Sequence, residues 1–174
     1  MRALPHNPTL MSMDYIIRDV IEPDLDTVLI LNQSEVPHLG SVDLQKMQWF
    51  AANAAYFRVA IAADQLAAYL VGMRPGTSYE SPNYRWFCDR YDHFAYVDRV
   101  AVAEFARRDG LASRLYEDFA AAMPTSISIM TCEVNIEPPN AGSMRFHERL
   151  GFRRVGSEAT EDGAKEVAML VRDL

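Results

Sequence analysis

The chain has 174 residues, a length that suits one domain with a full core. It is 49% hydrophobic and 24% charged, an ordinary globular composition. Its 24 acidic and 17 basic residues give a net charge of -7, which argues against nucleic acid as the main partner, because a phosphate backbone needs a basic surface, and leaves room for a small cationic substrate.

Residues 1–12 read as a loose tail, and residues 13–174 as one domain. The tail contains no apolar run of signal-peptide or membrane-spanning length, so neither is expected. Tyr15 to Val20 reads as a first strand. Pro23, followed by Asp24 and Asp26, predicts a helix start, and the helix should end before Pro37. Asp43 begins a second helix with Leu44, Met47, Phe50 and Ala51 on one side. Tyr56 to Ala62, a tight turn at Ala63–Gln65, and Leu66 to Met73 predict a hairpin. A loop from Arg74 to Asn83 leads to an aromatic stretch, Tyr84 to Tyr91, that suits a short helix. Phe94 to Val102 reads as a buried central strand, Gly110 to Met123 as a helix, and Ile127 to Val134 as another strand. Pro138-Pro139 breaks the chain before a helix from Ser143 to Leu150 that Gly151 ends. Phe152 to Val155 and Glu166 to Val171 read as a last hairpin around Asp162-Gly163. The helix between the strands at Phe94–Val102 and Ile127–Val134 predicts a parallel crossover in an otherwise antiparallel sheet.

The segment Val100-Ala101-Val102 followed by Arg107-Arg108-Asp109-Gly110-Leu111-Ala112-Ser113 carries the most chemistry. It runs from a strand through a loop into a helix. The free N–H groups of a helix start, with the dipole behind them, make an anion site. Gly110 allows close backbone approach and Ala112 keeps that approach open. The residues alone therefore predict a phosphate or diphosphate here. Cys88 and Cys132 are far apart and outside any metal-ligand spacing. Free thiols in a reducing cytoplasm fit best, with no disulfide framework and no metal.

Two segments together resemble the GNAT superfamily of acyl-CoA-dependent N-acetyltransferases. Arg107-x-x-Gly110-x-Ala112 matches the family's Gln/Arg-x-x-Gly-x-Gly/Ala loop. Asn140-Ala-Gly-Ser143-Met-Arg-Phe146-His147-Glu-Arg-Leu150-Gly151-Phe152 resembles its Asn-x-x-Ala-x-x-Phe-Tyr-x-x-Leu-Gly-Phe segment. Ser81 to Phe87, Tyr96 to Val100 and Glu133 to Asn140 are also similar to a bacterial branch of the superfamily. The resemblance implies an α/β GNAT fold: a mixed, mostly antiparallel central sheet, helices on both faces, and splayed fourth and fifth strands. It implies acetyl-CoA as cofactor, with pantetheine along Val100, Ala101 and Val102, diphosphate on Arg107 to Ser113, and Asn140 and Ser143 on the other side. A primary amine of a small molecule or peptide would attack the thioester directly in a ternary complex. Two other readings stay open: an inactive acyl-CoA-binding sensor or scaffold, and a protein N-terminal acetyltransferase. A homodimer is also expected from the resemblance.

The attacking amine must lose a proton to a base, and Asp98 on the fourth strand is the first candidate, Glu133 the second. The leaving thiolate needs a proton. The family's tyrosine is replaced here by His147, an imidazole suited to the task, with Tyr84, Tyr91 and Tyr96 as alternatives. Asn32, Glu35 and His38 at the first helix's end, with Tyr84, Trp86 and Tyr96, are the candidates for lining the acceptor site.

Overall fold

The computed structural model describes residues 14–160 and 163–174; the predicted tail and Asp162 of the last turn lie outside them. The elements run Ile16–Asp19 (β1), a 3-10 turn at Glu22–Asp24, Leu25–Ser34 (α1), Leu44–Asn53 (α2), Tyr56–Ala62 (β2), Gln65–Met73 (β3), Pro82–Cys88 (α3), Ala95–Val102 (β4), a 3-10 turn at Glu104–Ala106, Leu111–Ala122 (α4), Ile129–Glu137 (β5), Ala141–Arg149 (α5), Arg153–Thr160 (β6) and Lys165–Asp173 (β7). They form one seven-stranded sheet in the order β1-β2-β3-β4-β5-β7-β6. Every neighbouring pair is antiparallel except β4–β5, which is parallel. Among the described residues no helix is long and apolar enough to cross a membrane.

Each face of the sheet has its own core. On one face α4 buries Leu111, Leu115, Tyr116 and Phe119, a spacing that keeps one helical side against the strands, and α5 packs Met144, Phe146 and Leu150 beside it. On the other face lie Leu25, Val28 and Leu31 of α1, Met47 and Phe50 of α2, and Tyr84 and Phe87 of α3. Each fully buried aliphatic or phenylalanine side chain contributes ~1.5–3 kcal/mol.

Local chemistry explains where elements differ from the sequence reading. The third helix begins two residues early, because Pro82 fits the first helical turn and Ser81 accepts a hydrogen bond from the Tyr84 N–H at 3.3 Å. The sixth strand runs on to Thr160, since an edge strand pairs through its backbone and needs no apolar alternation; Ser157, Glu158 and Ala159 are exposed there.

Two features of β4 set up the site. It meets β5 only at Ala95–Met130 and Tyr96–Thr131, so the strands part beyond Tyr96 and leave a gap in the sheet. On its other side the register with β3 slips: Val71 faces Arg99 while Gly72 faces Val97, which makes Asp98 an extra, bulged residue. A regular strand sends neighbours to opposite faces. The bulge instead sends both Asp98 and Arg99 to the α1–α3 face.

Gly72 has no room for a side chain. An added Cβ would stand 2.3 Å from Cζ of the buried Phe119 ring. Gly72→Ala is therefore expected to destabilise the fold by about 3 kcal/mol, a fall of roughly 10 °C in Tm. Gly40→Ala, with nothing within 4 Å of its added carbon, is the control and should melt near the wild type.

Candidate active site

The parting of β4 and β5 opens a cleft on each side of the sheet. The first, about 480 Å³, lies on the α4–α5 side. Of the residues singled out in the sequence, Val100, Val102, Arg107, Ala112, Asn140, Ser143 and His147 line it, together with Tyr116 and Cys132. The second, about 290 Å³, lies on the α1–α3 side between Tyr79, Ser81, Asn83, Asn135 and Val167. Five residues border both: His38, Leu39, Asp98, Arg99 and Glu133.

The α2, α3 and α5 helices are each capped by a side chain, from Asp43, Ser81 and Asn140; α1 and α4 have no side-chain cap, and the α4 start, with Gly110 as its cap residue, is the one flanked by residues of the first cleft. Its first N–H groups are thus left for a ligand. Arg108 and Gly110 both have φ +73°, and nothing stands within 4 Å of where a Gly110 Cβ would be. This backbone, at the mouth of the first cleft, fits a diphosphate. Beyond Tyr96, the β4 edge facing β5 carries no ladder bonds, which fits a pantetheine amide chain. The Arg107 side chain is engaged elsewhere: its Nη2 donates to Glu35 Oε1 at 2.5 Å and its Nε to the Val102 carbonyl at 3.2 Å. Leu111 is buried in the core, Ala101 faces the other side of the sheet, and Asp109 accepts from the Tyr15 hydroxyl at 2.7 Å.

The two carboxylates differ sharply. Asp98 is tied up: Oδ2 accepts from Arg99 Nε at 2.7 Å and Oδ1 from the Tyr79 hydroxyl at 2.6 Å. Both side chains of the ion pair are nearly enclosed, 5% exposed for Asp98 and 8% for Arg99. Burial opposes the Arg99 charge, but Asp98 beside it holds the guanidinium protonated above its usual range. Arg99 Nη1 also donates to Asn32 Oδ1 at 3.0 Å and to the Gly40 carbonyl at 3.3 Å, pinning the α1–α2 loop to β4.

Among the described residues no salt bridge to Glu133 is seen, in contrast to Asp98. Glu133 Oε1 accepts from Asn83 Nδ2 at 2.9 Å, and the Tyr96 hydroxyl donates to Glu133 Oε1 and Oε2, at 3.0 and 2.9 Å. Glu133 is partly exposed and lines both clefts. Burial, with the Asp98 charge nearby, pushes its carboxyl up to about 7, against the two hydrogen bonds, which favour the charged form. A carboxylate so tuned takes a proton near neutral pH and gives it back.

His147 lies buried in the wall of the first cleft. The Ser143 carbonyl can only accept, so the 2.8 Å contact fixes the proton on Nδ1, and Nε2 accepts from the Tyr116 hydroxyl at 2.8 Å. Burial holds the imidazole below its ordinary pKa, so the ring is neutral. Asn32, Tyr84 and Trp86 line neither cleft. Asn32 is fully buried under Arg99 and accepts from the Tyr69 hydroxyl at 2.7 Å. The Tyr84 hydroxyl donates to the Arg74 carbonyl at 2.7 Å, and Trp86 packs where a Gly156 side chain would be. Glu35 and His38 do line the first cleft, and Tyr96 reaches the site through Glu133. Asn83, Asn135 and Tyr116 were not singled out from sequence. For Asn135 a signal existed, since it stands two residues after Glu133 on the same face of β5.

Among the described residues no group of three His, Cys, Asp or Glu could hold a metal ion. Cys88 and Cys132 are free, and burial raises the Cys132 thiol well above its ordinary pKa, so it is inert.

A split sheet with an uncapped helix start on one side and a tuned carboxylate in the gap defines an acyl-transfer fold. A model of the Acetyltransferase (GNAT) family matches residues 26–152, and the chain belongs to that family. No curated protein matches the sequence. Among solved structures, Arabidopsis thaliana NAA60 in complex with a bisubstrate analogue superimposes with a TM-score of 0.75 at 14% identity, over 92% of this chain and 98% of that one. Ard1 from Thermoplasma volcanium gives 0.74 at 17%, over 92% and 97%. The NatC complex bound to Gag peptide and CoA gives 0.71 at 14%, over 93% and 99%. At such identities these structures share the fold with this chain.

Proposed function

We propose that this acetyltransferase moves an acetyl group from acetyl-CoA to a primary amine, with acetyl-CoA in the first cleft, the amine in the second, and Glu133 as the base between them. One observation carries the reading: among the described residues, Glu133 is the carboxyl that borders both clefts and is held near 7. Asp98 lies on both clefts too, but Arg99 and Tyr79 already occupy its oxygens. In this reading Asp98 is a positioning residue that keeps the Glu133 carboxyl raised.

The uncapped N–H groups of α4 hold the diphosphate, and the free edge of β4 holds pantetheine and directs N–H groups at the oxyanion of the tetrahedral intermediate. The His147–Tyr116 pair lies in the wall of the first cleft with both of its protons held in internal hydrogen bonds, so the departing thiolate takes its proton from water and the pair shapes the wall beside it. The test is to mix the protein with acetyl-CoA and pools of small amines, amino acids and short peptides and measure free thiol. Thiol release that depends on one pool is the expected result. Tight acetyl-CoA binding with no release from any pool would instead support a sensor.

A further inference from the structure

The second cleft also contains a binding device for the acceptor. Asn83 lines it, and its Nδ2 donates to Glu133. That bond fixes the orientation of the amide and leaves Asn83 Oδ1 enclosed with no hydrogen-bond partner. An unpaired buried carbonyl of this kind is costly to fold, and the cost is recovered when a donor reaches it. Thr131 Oγ1, the other such atom among the described residues, lines neither cleft. Across from Asn83, on the same face of β5 as Glu133, stands Asn135. Asn135 is 9% exposed and lines the second cleft, and among the described residues no hydrogen bond to its side-chain amide is seen.

We propose that Asn83 Oδ1, the Glu133 carboxylate and the Asn135 amide oxygen form a three-acceptor cradle that takes the acceptor as a primary ammonium ion. The proposal rests on the reading of the second cleft as the amine side. A primary ammonium has three N–H donors and a tertiary one has a single donor, so three converging acceptors select the primary ion. Asn83 sits beside the exposed Pro82 at the start of a short helix, and both residues line the second cleft. The cleft, about 290 Å³, is at the small end for ligand sites and suits one amine-bearing group. The first proton transfer then balances simply. R–NH3⁺ and the Glu133 carboxylate become R–NH2 and the Glu133 carboxylic acid, which frees the nitrogen lone pair for attack and breaks no other bond.

The test follows the Glu133 side-chain carboxyl by NMR across pH, using protein labelled at glutamate, with ethylammonium or tetramethylammonium chloride added at equal concentration. The titratable or charged groups facing Glu133 are Asp98, Arg99 and Tyr96 from β4, Tyr79 and His38 from the loops, and Lys165 from β7; all are common to both arms. Ethylammonium is expected to lower the Glu133 midpoint by about one unit, as a bound cation does. Tetramethylammonium, which has no N–H, should leave it in place. Asn83→Leu and Asn135→Leu, each checked for an unchanged melting curve, should abolish the ethylammonium shift. Equal shifts from both cations, or none from either, would overturn the cradle even in the wild type alone. Thiol release from an amine pool without an ethylammonium shift would remove the cradle and keep the transferase reading. An ethylammonium shift in a protein that acetylates no amine would do the reverse.

Discussion

Glu133→Gln is expected to lower kcat by about 10²–10³-fold while acetyl-CoA affinity stays unchanged, the usual loss when a general base is removed. The pH profile carries the sign of the argument. The base works only as the carboxylate, so wild-type kcat/KM should climb about tenfold per pH unit below its pKa of about 7 and level off above it. The same substitution should move stability the other way. The folded carboxyl titrates near 7 against an ordinary value of 4.5, so what this group adds to folding is fully present below 4.5 and is lost as pH rises through 7. Above 7 the wild type must hold an ionised carboxylate in a poorly solvated gap, and glutamine is spared that. Glu133→Gln should therefore melt higher than the wild type above pH 7, by about 2 kcal/mol once the water in the clefts is allowed for, and equal to it in acid. Asp98→Asn separates the two candidate bases. If Glu133 is the base, the variant keeps turnover and its profile shifts to lower pH, because removing Asp98 takes a like charge from Glu133 and leaves Arg99 unpaired nearby. A collapse of turnover with the profile unmoved would make Asp98 the base instead.

The parts of this site legible in the sequence are those that depend on the backbone. Gly110 marks the start of α4, where the backbone takes a positive φ and no side chain caps the helix, and the alternation of strands and helices predicts where β4 and β5 part. The side-chain roles were harder to read for physical reasons. Asp98 and Glu133 are both acids on central strands, and in one dimension nothing ranks them. The ranking comes from the bulge, which turns Asp98 and Arg99 to the same face and lets them neutralise each other. A bulge is a slip of one residue against β3, here beside Gly72, and no local pattern in β4 announces it. Tyr84 and Trp86 look like pocket residues because they follow a Pro/Gly loop, yet they form the packed foundation of that side of the sheet. Asn83, one residue earlier, is the one that reaches the cleft. His147 stands where the family motif places its residue, but its partner Tyr116 comes from another helix 31 residues away, beyond the reach of any motif.

Arg99→Met should be the most destabilising change of charge in the chain. Methionine fills much of the same space but leaves the nearly enclosed Asp98 carboxylate without its cation, and breaking one side of a buried pair costs ~3–5 kcal/mol. It also removes the donors to Asn32 and Gly40 and the guanidinium 4.8 Å above the Phe50 ring. A fall in Tm of roughly 10 °C is expected. Adding Asp98→Asn to Arg99→Met should recover part of it, because the stranded charge disappears with its partner. A double variant no more stable than Arg99→Met alone would show that the loss comes from the loop anchors and not from the ion pair. The functional consequence follows from where those anchors lead. Gly40 and its neighbours His38 and Leu39 wall the second cleft, and His38 and Leu39 wall the first as well. A loosened loop is therefore expected to raise KM for the amine more than it lowers kcat, because Glu133 keeps its hydrogen bonds to Asn83 and Tyr96, neither of which belongs to that loop.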